Sequence, residues 1–131
     1  MFAYIYLLLL TTLYPSPRYQ PQADRVEELV ELAQDVASTD ATEEEAVVLV
    51  NICVHESRCS ARAVGDGGRS RGAWQVRAAR GVVGTGAAAA LAKVRWSRKI
   101  CGDLSAYAGC GRCGSCPDVV RSLMDPKLPR R

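Results

Sequence analysis

Aromatic residues are scarce in this chain of 131: two tryptophans, one phenylalanine and five tyrosines, with Tyr4 and Tyr6 among the first ten residues. Small aliphatic side chains must therefore supply most of any core. Dense basic tracts are missing too. The positive residues are scattered (Arg58, Arg62, Arg69, Arg71, Arg77, Arg80, Arg95, Arg98 and Lys99) with few aromatics between them, which argues against nucleic-acid binding. No uninterrupted stretch reaches the ~20 apolar residues that a bilayer-spanning helix needs, and no segment repeats.

What remains is the composition of a folded domain. With 48% hydrophobic and 24% charged residues, a packed core is expected rather than disorder. The length has room for one small domain. A net charge of +3 favours anionic polymers such as cell-wall glycans or phospholipid head groups, without choosing among them.

Cysteine is plentiful for so short a chain, at positions 53, 59, 101, 110, 113 and 116. An even count in a small domain suits three disulfides and an oxidising compartment, hence an exported protein, with 15 pairings open. The alternative is a zinc or iron–sulfur site on Cys110, Cys113 and Cys116, with Cys53, His55, Cys59 or Cys101 as a fourth ligand. Residues 1–14 are strongly apolar and nearly uncharged, most of all from Leu7 to Leu10. They resemble the apolar part of an export signal, although no basic residue precedes them and no small-x-small cleavage site follows. An uncleaved anchor, giving membrane association, and an N-terminal arm are the other readings.

Pro15, Pro17 and Pro21 mark a linker, so residues 1–22 are expected to be leader or anchor plus linker, 23–125 the domain, and 126–131 a basic tail. Val26, Leu29, Val30, Ala33, Val36 and Ala37 fall at helical spacing and predict a helix from about Ala23 to Ala37. A second begins at Thr42, with Glu45 three residues on completing a capping box. Its residues Ala46, Val47, Leu49, Val50, Cys53 and Val54 are apolar almost all round, so it should be central and buried. Residues 60–86 hold most of the chain's 11 glycines and predict an irregular lobe with a hairpin around Gly65 to Gly68. Further helices are expected over about Gly86 to Arg98, with Leu91, Val94 and Trp96 apolar, and over Leu104 to Ala108. A last one starts at Pro117, burying Val119, Val120, Leu123 and Met124. The fold class is mainly α.

Glu56 stands at the end of the central helix, before the glycine-rich loop. Apolar neighbours and the negative end of the helix dipole suit it to hold a proton above the ordinary carboxyl range. Such a group can protonate a leaving oxygen, the task of the acid in glycoside cleavage. An exposed helix-terminal glutamate is the plain alternative.

Glu56-Ser57, then Ala63-Val64-Gly65-Asp66-Gly67-Gly68, then Ser70 and Gly72-Ala73-Trp74-Gln75, resemble the signature of the lytic transglycosylases (SLT domain) and goose-type lysozymes, of the α+β lysozyme-like superfamily. The match runs ungapped over residues 47–75. Leu104-Ser105-Ala106-Tyr107 is similar to a second motif of that group, so the likeness covers most of residues 25–124. It implies that Glu56 is the catalytic acid, that Ser57 orients it, and that Gln75 and Tyr107 line the sugar cleft. Ser70 and Gly72 would shape the loop facing the glycan. Trp74 would either stack on a sugar ring or anchor the loop from beneath. Gly67 and Gly68 suit a tight turn, and His55 a packed or solvated position.

The likeness further implies peptidoglycan strands as substrate, a monomer, no metal and no cofactor. The chain departs from the pattern at Cys59, where an aromatic is usual, at Ser60-Ala61 for Asn-Pro, and at Ala108 for Asn. A disulfide at Cys59 would stand in for the aromatic packing. Asp66 is the only aspartate near the loop, as a second carboxylate or as a turn former. A lone glutamate fits a scheme in which the substrate's N-acetyl group attacks, leaving 1,6-anhydromuramoyl ends. Two other readings stand beside it: a non-catalytic wall-binding module, prompted by the departures, and a small metalloprotein built on the C-terminal cysteines.

Overall fold

A computed structural model of the chain describes residues 1–77 and 84–125. Arg80 and the expected basic tail lie outside them. The described residues form five helices: α1 (Phe2–Leu13), α2 (Ala23–Ala37), α3 (Glu43–Ser57), α4 (Ala87–Cys101) and α5 (Pro117–Met124). Three two-residue strands, β1 (Val64–Gly65), β2 (Ser70–Arg71) and β3 (Val76–Arg77), pair antiparallel in that order. The expected hairpin is present, its turn a 3₁₀ segment over Asp66–Gly68. The fold is a mainly helical domain stapled by three disulfides, Cys53–Cys59, Cys101–Cys113 and Cys110–Cys116. All six cysteines are thereby committed, and none remains as a thiolate for metal.

Helix α3 is the axis of the core. Its capping box forms as expected: the Glu45 N–H donates to Thr42 Oγ1 (3.2 Å) and the Thr42 N–H donates to Glu45 Oε1 (3.0 Å). Ala46, Val48, Leu49, Val50, Ile52, Cys53 and Val54 are buried along it. Helix α2 buries Leu29, Leu32, Ala33 and Val36, a stripe shifted slightly from the expected one, with Val26, Val30 and Ala37 at its half-buried edges. Helix α4 lacks a Ser, Thr, Asp or Asn at its N-terminus. Asp35 of α2 supplies the cap instead, accepting the Ala87 N–H at 2.9 Å. A Cβ on Gly86 would press against that same carboxylate.

Helix α1 packs on α2 and α3 and buries Ile5, Leu9 and Leu13, one residue per turn. At 1.5 Å per residue it is about 18 Å long, and no helix among the described residues is long and apolar enough to cross a membrane.

Two expectations need correction, for Leu104 to Ala108 and for the last helix. Leu104 to Ala108 is a run of overlapping turns rather than a helix, with the Ala108 N–H on Leu104 O (2.9 Å), the Cys110 N–H on Ser105 O (3.1 Å) and Gly109 at φ 76°. Asp103, whose carboxylate accepts the Ser105 N–H at 2.8 Å, draws the backbone into that turn. Helix α5 buries only Leu123 fully, while Val119 and Met124 are exposed. Trp96 is half exposed because it falls off the Leu91–Val94 face of α4.

Candidate active site

Helix α3 ends abruptly after Ser57. Arg58 (φ 53°) and Cys59 (φ 58°) both adopt left-handed backbone, which non-glycine residues rarely enter. Three restraints hold them there. The Cys53–Cys59 disulfide bridges the turn, the Cys59 N–H donates to Cys53 O at 2.8 Å, and Arg25 of α2 donates to the carbonyls of Arg58 and Cys59. Glu28, paired with Arg25, accepts the Ala61 N–H at 3.1 Å. Cys59 thus sits in a disulfide where the resemblance would place an aromatic. The chain that follows Glu56 is turned back sharply towards the glycine loop.

The loop residues Gly72 to Gln75 are secured carbonyl by carbonyl. The Gln75 backbone N–H (3.1 Å) and its side-chain Nε2 (2.9 Å) donate to Gly72 O. Ser57 Oγ donates to Ala73 O at 2.6 Å, and Tyr107 Oη donates to Trp74 O at 2.9 Å. Gln75 itself is left-handed (φ 49°). Gly72 at φ 81° has Thr85 so close that a Cβ would meet its carbonyl oxygen at 3.0 Å. Glycine is required there.

Each expected site residue can now be placed. Glu56 is half buried at the end of α3. Ser57 turns its hydroxyl to the Ala73 carbonyl and accepts the Ser60 N–H (3.0 Å), so it fixes the loop to the helix end. Ser70 is buried and donates to Asp66 Oδ2 at 2.5 Å, closing the hairpin turn while Asp66 itself is exposed. Trp74 is 2% exposed, with its indole N–H on Leu49 O at 2.8 Å. A ring buried this far has no face for a sugar, so of its two expected roles the anchor is the one seen. Tyr107 is buried as well, its backbone N–H on Ser97 Oγ (3.0 Å), which in turn donates to Asp103 O (2.8 Å). His55 is half buried beside Glu56 in sequence.

Sequence reasoning missed Lys93. This residue of α4 is half buried, and its Nζ lies 4.3 Å from the centroid of the Tyr107 ring. Burial pushes its ammonium below the usual lysine range; the Glu56 charge acts the other way, Arg77 adds to the lowering and Asp66 opposes it. Burial likewise pushes the Tyr107 phenol up, with the negative Glu56 nearby as the second cause. Glu56, Lys93, Tyr107, Arg77 and Asp66 therefore share one electrostatic neighbourhood, drawn from α3, α4, the turn after α4, β3 and the hairpin. The missed signal was periodicity: Lys93 falls at the edge of the stripe Ala90, Val94 and Ser97, all buried.

The arrangement offers one half-buried carboxyl, one half-buried ammonium and an exposed second carboxylate around a rigid loop. Among the described residues no cluster of three or more His, Cys, Asp or Glu is placed to hold a metal ion. No protein-family model, curated protein or solved structure matches the chain.

Proposed function

We propose that this protein is an exported, lysozyme-like enzyme that cleaves the β-1,4 bond between N-acetylmuramic acid and N-acetylglucosamine in peptidoglycan, with Glu56 acting first as acid and then as base. One observation carries the reading. The three segments singled out by their motifs, Glu56-Ser57, Gly72–Gln75 and Tyr107, are joined by hydrogen bonds from Ser57 and Tyr107 to neighbouring carbonyls of the loop. Three disulfides support the exported setting, since such bonds persist in oxidising compartments.

In this scheme the Glu56 proton passes to the glycosidic oxygen as the C1–O bond breaks. The carbonyl oxygen of the substrate's own N-acetyl group bonds to C1 and closes an oxazolinium ring. The Glu56 carboxylate then takes the proton of the C6 hydroxyl, whose oxygen displaces the acetamido oxygen at C1 and leaves a 1,6-anhydro end. No second carboxylate is needed, which leaves exposed Asp66 to its turn. Incubation with purified sacculi, followed by mass analysis of released muropeptides, tests the reading. Anhydro ends are expected; reducing ends would replace transglycosylation by hydrolysis, and no release would refute the enzyme.

A second reading is a non-catalytic wall-binding module of the same fold. It is favoured by the internal commitment of the Ser57 and Tyr107 hydroxyls and the Trp74 indole, together with alanine at position 108. Binding to sacculi without muropeptide release would select it.

A further inference from the structure

The net charge of +3 conceals a segregation of charge along the chain. From Asp24 to Glu45, nine acidic side chains stand against Arg25 alone; from Arg58 to Arg77, five arginines stand against Asp66 alone. Ion pairs of the described residues lie in the helical body: Arg25–Glu28, Arg95 with Asp40 and Glu45, Arg98–Glu44 and Arg121–Asp118. Arg58, Arg62, Arg69, Arg71 and Arg77 enter none of these pairs, and all five are exposed. Arginines that are scattered in sequence are thus gathered, uncompensated, around the hairpin.

The hairpin presents them next to the candidate site. Arg71 of β2 stands opposite Val64 of β1, which is exposed, so at these two strands that face looks outward. Arg71 Nε donates to Gly68 O at 3.1 Å, which seats the guanidinium on the turn and leaves its terminal nitrogens for a ligand. Arg69 flanks the same turn, and Arg62 precedes β1. Two residues beyond Arg71, Ala73 O is held by Ser57, the neighbour of Glu56.

We propose that this arginine-bearing hairpin is a docking surface for carboxylates, those of the peptide stems carried by the glycan strand. This rests on the substrate proposed above: the sugars, amide-linked to their stems, are uncharged, and the free carboxylates belong to the stems. A guanidinium offers its donors in a planar fork that matches a carboxylate. A surface of one sign also draws an oppositely charged chain towards it. Stems engaged on the hairpin hold the adjoining sugars at the loop beside Glu56.

The test is co-sedimentation of the full chain with purified sacculi, intact or stripped of stems by an amidase, from low to high salt. Arg69→Gln/Arg71→Gln should lose about fivefold in affinity for intact sacculi at low salt, as for two exposed charge pairs. Arg62→Gln/Arg69→Gln should lose as much, and it spares the Arg71–Gly68 bond should the first variant misfold. Arg18→Gln/Arg112→Gln removes the same charge from exposed positions outside the lobe and should bind as the wild type does. Raised salt should remove the difference between wild type and lobe variants. Stripped sacculi should hold all of them equally weakly. Equal wild-type binding to intact and stripped sacculi overturns the proposal, and so do equal losses in the lobe and control variants. A lobe-dependent binding that survives stripping also overturns it, assigning the surface to another anion such as a wall phosphodiester. Muropeptide release is scored separately: stem-dependent binding without release upholds the surface and refutes the enzyme, whereas release with stem-independent binding does the reverse.

Discussion

Ser57 and Tyr107 grip consecutive carbonyls: Ser57 Oγ holds Ala73 O at 2.6 Å and Tyr107 Oη holds Trp74 O at 2.9 Å. One grip comes from the end of the central helix, the other from the turn after α4. The loop between them is fixed relative to Glu56 without contributing a helix or a long strand.

Removing either hydroxyl should loosen that loop. Ser57→Ala and Tyr107→Phe are each expected to lose about 1–2 kcal/mol in chemical denaturation, the range for a buried hydrogen bond whose acceptor is left unpaired. Tyr107→Phe keeps the ring beneath the Lys93 ammonium. A stability loss well below 0.5 kcal/mol in both variants, on the order of a surface substitution, would show that the grips are not formed.

Glu56→Gln should abolish muropeptide release while leaving the circular dichroism spectrum and sacculus binding unchanged. General acid catalysis contributes ~10²–10⁴-fold, so a residual rate within tenfold of wild type would remove Glu56 from the chemistry.

Glu45 joins the capping box to Arg95, whose Nε and Nη2 donate to its two carboxylate oxygens at 2.8 and 3.0 Å. These bonds, and next the Thr42 backbone N–H, pull its carboxyl down to about 2. A depressed folded-state pKa means that the stability from Glu45 is complete above the unfolded value of ~4.3 and is lost as pH falls through about 2. Thermal melts between pH 5 and 2 should show the loss in wild type and a shallower one in Glu45→Gln. Equal slopes would exclude Glu45 as a source of acid sensitivity.

The turn that carries Tyr107 is braced by Cys101–Cys113 and by the Gly114 N–H on Ser105 Oγ at 3.1 Å. Replacing Cys101 and Cys113 together by serine should cost ~2–4 kcal/mol and lower activity on sacculi more than the Cys53–Cys59 double replacement does, relative to the stability each loses. The reverse ranking would mean that the helix-end turn, rather than the Tyr107 turn, governs the site.

Much of this fold was legible because its signals are local. Capping at Thr42 and Glu45, the apolar stripe of α2, proline at the start of α5 and the glycines of the hairpin each act within a few residues. Contributions from distant chain were not legible. Asp35 caps α4 from another helix and Arg25 secures the turn after α3, neither with a spacing to betray it. Leu104 to Ala108 misled for a different reason: its apolar residues suit a helix, but the adjoining Asp103 and Gly109, with the Cys101–Cys113 disulfide, decide otherwise. At the candidate site, Ser57 and Tyr107 bond neighbouring carbonyls of the glycine loop, so their hydroxyls, like the indole of Trp74, face the protein, which no motif could show.

The contrast between the two indoles gives this molecule a built-in optical gauge. Trp74 turns its ring inward from the loop onto the central helix, whereas Trp96 is half exposed on α4. A water-soluble quencher such as iodide should act on Trp96 alone, leaving emission from Trp74 to report, without any added label, whether the packing beneath the loop is intact.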